Sequence, residues 1–187
     1  GITIFGADAG DSSGFSVSSA GDVNGDGFDD LLIGAWFADG EDNAKHYAGE
    51  SYVIFGGAAL PITIALNDLG SAGILLFGAE AEDRSGSSVS AAGDVNGDGF
   101  DDLLIGASFA DAAGNGKAIA GESYLIYGGN VTSAVTHAGT AAGETLTGSA
   151  SANVMIGGRG NDSLVGNGGT DVLRGGEGND ILSVSDL

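Results

Sequence analysis

An internal repeat of 72 residues constrains the fold of this chain more than any other feature of the sequence. The segment GDVNGDGFDDLLIGA occupies residues 21–35 and recurs unchanged at 93–107, an offset of 94 − 22 = 72. Within one copy, Gly, Asn and Asp clusters separate short apolar runs at 15–20, 31–35, 52–55 and 74–77, a pattern typical of β-strands joined by tight turns. About four strands in each copy predict two propeller-type blades, because one such sheet cannot bury both of its faces alone.

A second repeat, with a period of nine, begins at residue 139. Glycine recurs at 139, 148, 157, 166 and 175, and Leu or Met recurs at 146, 155, 164, 173 and 182. This nonapeptide pattern is typical of a calcium-binding parallel β-structure, whereas a flexible glycine-rich linker would not need the apolar column. The sequence therefore predicts an all-β chain with two blades over 1–130, a linker over 131–138 and a short parallel β-roll over 139–187.

The balance of charges limits the partners of this chain. Its 26 acidic residues against 5 basic ones give a formal net charge of −21, which disfavours nucleic acid and anionic membranes and favours cations. No apolar run approaches the roughly 18 residues of a membrane span. The absence of cysteine excludes disulfides and thiolate metal sites. Because the first residue is Gly rather than Met, we expect the sequence to be a fragment of a longer parent chain.

Each copy of the 72-residue repeat contains a candidate calcium loop. Oxygen ligands at positions 1, 3, 5, 7 and 9 suit a hard cation of the size of Ca²⁺. These positions hold the side chains of Asp22, Asn24, Asp26 and Asp30 and the carbonyl of Phe28 in the first copy, and Asp94, Asn96, Asp98, Phe100 and Asp102 in the second. An EF-hand is excluded because position 12 is isoleucine rather than glutamate. The alternative is an ordinary Asn-Gly or Asp-Gly hairpin turn.

The residues around these loops resemble a known family. With LLIGA directly after the loop and GESYVIFG at 49–56, residues 1–129 are similar to the FG-GAP repeat of integrin α-subunit propellers and their bacterial relatives. The resemblance implies that the calcium loops join the first and second strands of each blade, and that the propeller binds a protein or glycan ligand on a cell surface. The Phe-Gly that names the family is Ser13-Gly14 in the first copy and Ser85-Gly86 in the second.

Residues 139–183 resemble the RTX, or haemolysin-type, calcium-binding repeat, most closely in GGRGNDSLV at 157–165 and GGEGNDILS at 175–183. The resemblance implies that two nonapeptides form one turn of the roll, so that residues 18 apart stack. Asp162 and Asp180 would then face one ion, and Asp171 would stack on Asn153 at a weaker site. The loop positions that the resemblance adds to the ligand set are Gly157, Arg159, Gly160, Gly175, Glu177 and Gly178.

No motif in the sequence indicates catalysis. The segment GDSSG at 10–14 fits the G-x-S-x-G pattern of serine hydrolases, but it lacks the strand-to-helix context, and the second copy reads EDRSG. We therefore expect a non-catalytic, calcium-binding adhesion or recognition module. By resemblance to the RTX family, it would be secreted or held at the cell surface after bacterial type I export.

Two other interpretations stay open. The chain could be the non-catalytic accessory region of a larger secreted hydrolase or other enzyme, or a spacer in a large surface protein. In each case two blades leave unpaired strand edges. We expect those edges to be covered by further blades of a longer parent chain or by self-association.

Overall fold

The computed structural model describes residues 1–111 and 116–184 and confirms the predicted all-β class. Single-turn 3₁₀ helices lie at Glu41–Asn43, Leu66–Asp68 and Gly70–Ala72. No helix among the described residues is long and apolar enough to cross a membrane. The strands before residue 127 are β1 (Thr3–Phe5), β2 (Ser16–Gly21), β3 (Asp30–Ala35), β4 (Glu50–Ile54), β5 (Thr63–Ala65), β6 (Gly73–Phe77), β7 (Ser85–Gly93), β8 (Asp102–Ala107) and β9 (Glu122–Ile126).

The first blade is a four-stranded antiparallel sheet in the order β2-β3-β4-β6. Its strands begin within two residues of the apolar runs that predicted them. Strand β4 lies between β3 and β6, and all five of its residues are buried. Tyr52, Ile33 and Ile54 form the core of the blade together with Leu66.

The second blade repeats this arrangement with one strand fewer. Its order is β7-β8-β9, and Leu103 pairs with Ile126 just as Leu31 pairs with Ile54, 72 residues earlier. The prediction of four strands in each copy is therefore wrong for the second copy within the described residues. The reason lies in the sequence, because residues 145–149, where the fourth strand would fall, read TLTGS and follow the nonapeptide pattern instead of GILLF.

A small two-stranded sheet lies outside both blades. Strand β1 pairs with β5 in parallel over three residues, with Ile4 opposite Ile64. Ile4 packs against the core of the first blade, whereas Phe5 is 56% exposed. Only this side chain therefore anchors β1 in the core.

The nonapeptides form two parallel sheets. The strands of successive nonapeptides alternate between the sheets, in the orders β10-β12-β14 and β11-β13-β15. Every pairing joins residues 18 apart, such as Met155 with Leu173 and Leu164 with Leu182, which confirms the predicted stacking. The strands are β10 (His137–Ala138), β11 (Thr145–Thr147), β12 (Val154–Ile156), β13 (Ser163–Val165), β14 (Val172–Arg174) and β15 (Ile181–Ser183).

The chain divides into two compact units that do not follow the order of the sequence. The first comprises 1–21, 29–92 and 103–126, and the second comprises 22–28, 93–102 and 127–187. Residues 22–28 of the first candidate calcium loop and the whole of the second thus belong to the same unit as the roll, whereas Asp30 belongs to the first unit. Residues 137–138, which we had placed in the linker, form the first strand of the roll, and 185–187 of the predicted roll lie outside the described residues.

Candidate calcium sites

In the first loop, Asp22 organises the backbone around its carboxylate. Its Oδ1 accepts the N–H groups of Gly25 at 2.8 Å and Asp26 at 3.0 Å, and its Oδ2 accepts that of Gly27 at 3.0 Å. Gly27 has a φ of +91°, a left-handed conformation that favours glycine. The loop sequence therefore folds into a tight turn whose first acid lies at its centre.

The next two ligand positions are linked to each other. Asn24 Oδ1 accepts the N–H of Asp26 at 2.8 Å, and Asn24 Nδ2 donates to Asp26 Oδ2 at 3.0 Å. Asp26 Oδ1 accepts the N–H of Phe28 at 3.0 Å. Asn24 is fully buried and Asp22 nearly so, which places polar oxygens in an environment where they need partners.

The second loop reproduces this network bond for bond. Asp94 accepts the N–H groups of Gly97 at 2.6 Å and Gly99 at 2.8 Å, and Asn96 Nδ2 donates to Asp98 Oδ2 at 2.8 Å. Two copies with the same hydrogen bonds show that the repeat specifies one defined loop conformation.

The acids at position nine lie at the starts of β3 and β8 and are fully buried. Asp30 Oδ1 accepts the N–H of Gly56 at 2.8 Å within the first unit. In the second unit, Asp102 accepts the N–H groups of Val95 at 2.8 Å and Gly128 at 2.9 Å. Each of these acids therefore holds the backbone two residues after the end of the strand that follows it in the blade, β4 for Asp30 and β9 for Asp102.

Within the second unit the two loops are bonded to each other and to the roll. Asp22 N–H donates to Asp101 Oδ2 at 2.8 Å, and Asp101 N–H donates to the carbonyl of Asp22 at 3.1 Å. Arg174, from β14, donates to the carbonyl of Gly99 at 2.9 Å and lies 3.5 Å from Asp22 Oδ2 and 3.7 Å from Asp101 Oδ2. Burial raises the pKa of Asp22, while the N–H of Gly27 and the charge of Arg174 oppose that shift.

An apolar contact accompanies these polar ones. Phe100 of the second loop forms a buried cluster with Val135 and Ile156, and Val154 packs against it. A Cβ added to Gly25 would lie within 3 Å of Phe100, Ile156 and Val135, so the first loop closely approaches the same cluster. The roll thus packs on both loops.

Inside the roll, the residues at position six of the nonapeptide form ladders along the stack. Asp180 Oδ1 accepts the N–H of Asp162 at 2.8 Å, and Asp162 Oδ1 accepts that of Glu144 at 2.8 Å. In the other column, Asp171 Oδ1 accepts the N–H of Asn153 at 2.9 Å. The structure therefore brings together both pairs that the 18-residue offset predicts.

The remaining predicted roll positions stack through their backbones. Gly160 N–H donates to the carbonyl of Glu177 at 2.9 Å, and Arg159 Nε lies 3.3 Å from Glu177 Oε2. A Cβ on Gly157 would lie 2.4 Å from the carbonyl oxygen of Gly175, and one on Gly178 would lie 1.5 Å from that of Gly160. These glycines are thus required by the close spacing of successive turns.

Two observations support the fit of these residues to Ca²⁺: the types of oxygen ligand that they supply, and the buried Oδ2 atom of Asp162. Carboxylate, amide and carbonyl oxygens are the ligands that Ca²⁺ prefers. Asp162 is 2% exposed, and its Oδ2 has no hydrogen-bond partner. In the ranges 1–111 and 116–184, no group of three or more acidic or histidine side chains converges as a metal cluster. The donor types fit, and the ligand assignments stay predictions.

Sequence reasoning missed Asp101 and Arg174. Asp101 occupies position eight of its loop, which is not a ligand position, and Arg174 lies 75 residues from the carbonyl that it contacts. The excess of acids over bases was the only available signal, because it makes each arginine a candidate partner of an acidic loop.

Comparisons with known proteins agree with this architecture. The family model of the FG-GAP repeat matches residues 13–54 and 85–126, and that of the RTX calcium-binding nonapeptide repeat matches 139–182. The first matches cover β2 to β4 and β7 to β9 with both loops, and the second covers the strands of the roll after β10.

The similar curated proteins are integrin α subunits. Integrin alpha-5 of Xenopus laevis is 41% identical over 105 residues, which is 55% of this chain and 9% of that protein. Integrin alpha-PS2 of Drosophila melanogaster is 34% identical over 121 residues (62% and 8%), and integrin alpha-8 of Mus musculus is 38% identical over 111 residues (58% and 9%). The chain thus spans less than a tenth of the length of these relatives. It is a calcium-binding repeat protein built from two FG-GAP repeats followed by RTX nonapeptide repeats.

Proposed function

We propose that this chain is an extracellular recognition or adhesion module whose loops and roll are ordered by Ca²⁺. The observation that carries the proposal is the buried Oδ2 of Asp162, which has no hydrogen-bond partner although Asp180 lies one turn away in the same ladder. An ionised oxygen that is buried without a partner is costly. A divalent cation at this position offsets that cost.

The charge of the second compact unit also supports the binding of Ca²⁺. Its described basic residues are Arg159 and Arg174, against acids in both loops and in most nonapeptides of the roll. The residues that would hold the ions are the predicted ligand positions of the two loops and the pairs Asp162 with Asp180 and Asn153 with Asp171. A bound Ca²⁺ supplies two positive charges that these arginines do not provide.

The repeats support a proposal for the location and the partner of the chain. Extracellular calcium modules commonly bind at about 10⁻⁴–10⁻³ M, a range that keeps such sites empty in the cytoplasm and filled outside the cell. We therefore place the chain outside the cell, after export by a bacterial type I route. Its partner is a protein or glycan on a cell surface, and its own role is non-catalytic.

Calorimetry tests the metal sites of the loops. The double variant Asp26→Ala, Asp98→Ala removes one ligand from each loop and should lower the number of bound Ca²⁺ ions by two. Asp29→Ala is the matched control, because Asp29 is an exposed acid of the same loop outside the ligand pattern. Unchanged stoichiometry in the double variant would refute the assignment of the loops.

Cell adhesion to the immobilised chain tests the biological role. Adhesion should require Ca²⁺, be lost in EDTA and be weakened by the same double variant. Full calcium binding without adhesion would contradict the recognition role and favour the accessory region of a secreted enzyme.

A further inference from the structure

The two blades differ in how their third strands are covered. In the first blade β6 pairs with β4, and Val53 and Tyr52 are at most 1% exposed. The equivalent strand β9 is an edge: within 1–111 and 116–184 no strand pairs with its outer side, and Leu125 is 38% exposed. An exposed strand edge is a template for pairing with another chain. The internal repeat identifies the kind of strand that fits this edge.

Strand β1 belongs to a segment of that kind. Residues 1–5 read GITIF and correspond, at the 72-residue offset, to GILLF at 73–77, the segment that forms β6. In its own chain β1 makes only a three-residue parallel pairing with β5, and Ile2 and Phe5 remain 44% and 56% exposed. Its present contacts are therefore few compared with those that β6 makes in the first blade.

The faces of the two blades give an independent indication. Ser16 faces the second blade, where its Oγ donates to the carbonyl of Gly86 at 2.7 Å, whereas its counterpart Ser88 is exposed. On the opposite face of the strand, Val17 is 66% exposed, whereas its counterpart Val89 is half-buried. Among the described residues, each blade thus lacks a neighbouring blade on the side where the other blade has one.

We propose that copies of this chain assemble head to tail, with β1 of one copy added in antiparallel orientation to the β9 edge of the next. The register follows from the first blade, where Glu50 is opposite Phe77 and Tyr52 opposite Leu75. Transposed by 72 residues, Glu122 pairs with Phe5 of the second copy, Tyr124 with its Thr3 and Leu125 with its Ile2.

The site beside β9 has apolar room for the added strand. A groove of about 260 Å³ lies next to Tyr124 and is lined also by Leu76, Phe77, Ile105 and Ile126. In the proposed register Thr3 and Phe5 share the face of Tyr124, because alternate residues of a strand point to the same side. The Phe5 ring, which is exposed in the single chain, is thereby placed on the side of the groove.

A head-to-tail contact uses two different surfaces and closes into a ring when its rotation permits. Propellers contain about four to eight blades, so a ring of two-bladed copies holds about two to four of them. Sedimentation of the chain in Ca²⁺ should therefore give about two to four times the mass of one chain. Deletion of residues 1–6 should return it to the mass of one chain, and a synthetic GITIFGA peptide should compete with assembly.

Cysteine pairs test the register, since the chain has no cysteine of its own. Ile2→Cys mixed with Leu125→Cys should form a disulfide-linked mixed dimer under mild oxidation, because directly opposed residues lie within disulfide reach. Thr3→Cys mixed with Leu125→Cys is the control, because these side chains point to opposite faces. A chain that stays monomeric at every concentration, an oligomer unaffected by the deletion while circular dichroism shows it folded, or equal crosslinking of both mixtures would overturn the proposal.

Discussion

Asp22 and Asp101 hold the two candidate calcium loops together through a reciprocal pair of hydrogen bonds. The Asp22 N–H reaches Asp101 Oδ2 at 2.8 Å, and the Asp101 N–H reaches the carbonyl of Asp22 at 3.1 Å. The two carboxylates repel each other, and the guanidinium of Arg174 lies within 3.7 Å of both. The loops and the roll are therefore one structural element, and a change in any of the three should affect the others.

Replacing Arg174 tests this coupling. Arg174→Ala leaves the carbonyl of Gly99 without its charged donor and the two aspartates without their cation. A hydrogen bond to a charged group contributes about 1.5–3 kcal/mol, so we expect the free energy of unfolding in EDTA to fall by about that amount. Urea denaturation measures it.

Arg159→Ala is the matched control for that experiment. Arg159 also comes from the roll, but its ion pair with Glu177 is solvent-exposed, and such pairs contribute about 0–1 kcal/mol. Equal losses in the two variants would show that Arg174 has no special role in joining the loops to the roll.

Replacing Asp162 should affect the stability of the chain differently with and without calcium. Asp162→Asn keeps the oxygen that accepts the Glu144 N–H but removes a buried charge, so stability in EDTA should be unchanged or higher. In Ca²⁺ the variant should be less stable than the wild type, because one carboxylate ligand is lost. We expect the calcium midpoint for stabilisation to rise about tenfold, or about 1.4 kcal/mol.

Asp171→Asn provides the comparison for Asp162→Asn. Asp171 has the same position in the other column, where it caps Asn153, and it belongs to the weaker predicted site. Its midpoint should shift less. Thermal unfolding followed by circular dichroism at a series of calcium concentrations measures both variants, and a larger shift for Asp171→Asn would reverse the assignment of the two columns.

The features that could be predicted from the sequence are periodic ones. The 72-residue repeat predicted the four strands of the first blade, three strands of the second and the positions of both loops, because each copy supports the other. The resemblance of the nonapeptides to RTX repeats predicted the 18-residue stacking. The contact of Arg174 with Gly99 has no periodicity and joins residues far apart in the chain. The sequence also did not predict that the second blade lacks a fourth strand, because the 72-residue repeat ends where the nonapeptides begin.

Because the two blades lie close together at Gly34, an alanine there should destabilise the chain more than an alanine at the equivalent Gly106. A Cβ on Gly34 would lie 2.1 Å from the backbone oxygen of Gly86, whereas one on Gly106 would meet the Oγ of Ser88 at 2.4 Å and nothing else within 3.6 Å. The exposed Ser88 side chain can rotate, but the backbone of Gly86 cannot move without shifting the second blade. Gly34→Ala should therefore destabilise the chain by about 1–3 kcal/mol and Gly106→Ala by less, as measured in dilute solution by urea denaturation.

The buried pair of Glu50 and Tyr52 predicts a pH dependence of stability. Burial raises the pKa of Glu50 above its ordinary value of 4.5, a shift that the hydrogen bond from Tyr52 opposes and three neighbouring aspartates increase. Because the folded state then holds this proton more tightly than the unfolded state, the resulting stabilisation is complete below pH 4.5. It is lost as the pH rises through the raised pKa.

Glu50→Gln should abolish this part of the pH dependence. The amide cannot ionise, and its oxygen can still accept the hydrogen bond from Tyr52 Oη, so the variant should gain stability relative to the wild type as the pH rises above about 4.5. The matched control is Glu122→Gln at the equivalent pair, where Tyr124 donates to a more exposed Glu122 at 2.7 Å. Urea denaturation from pH 4 to pH 8 in EDTA separates the two, and parallel stability curves for Glu50→Gln and the wild type would show that Glu50 ionises in the folded chain without cost.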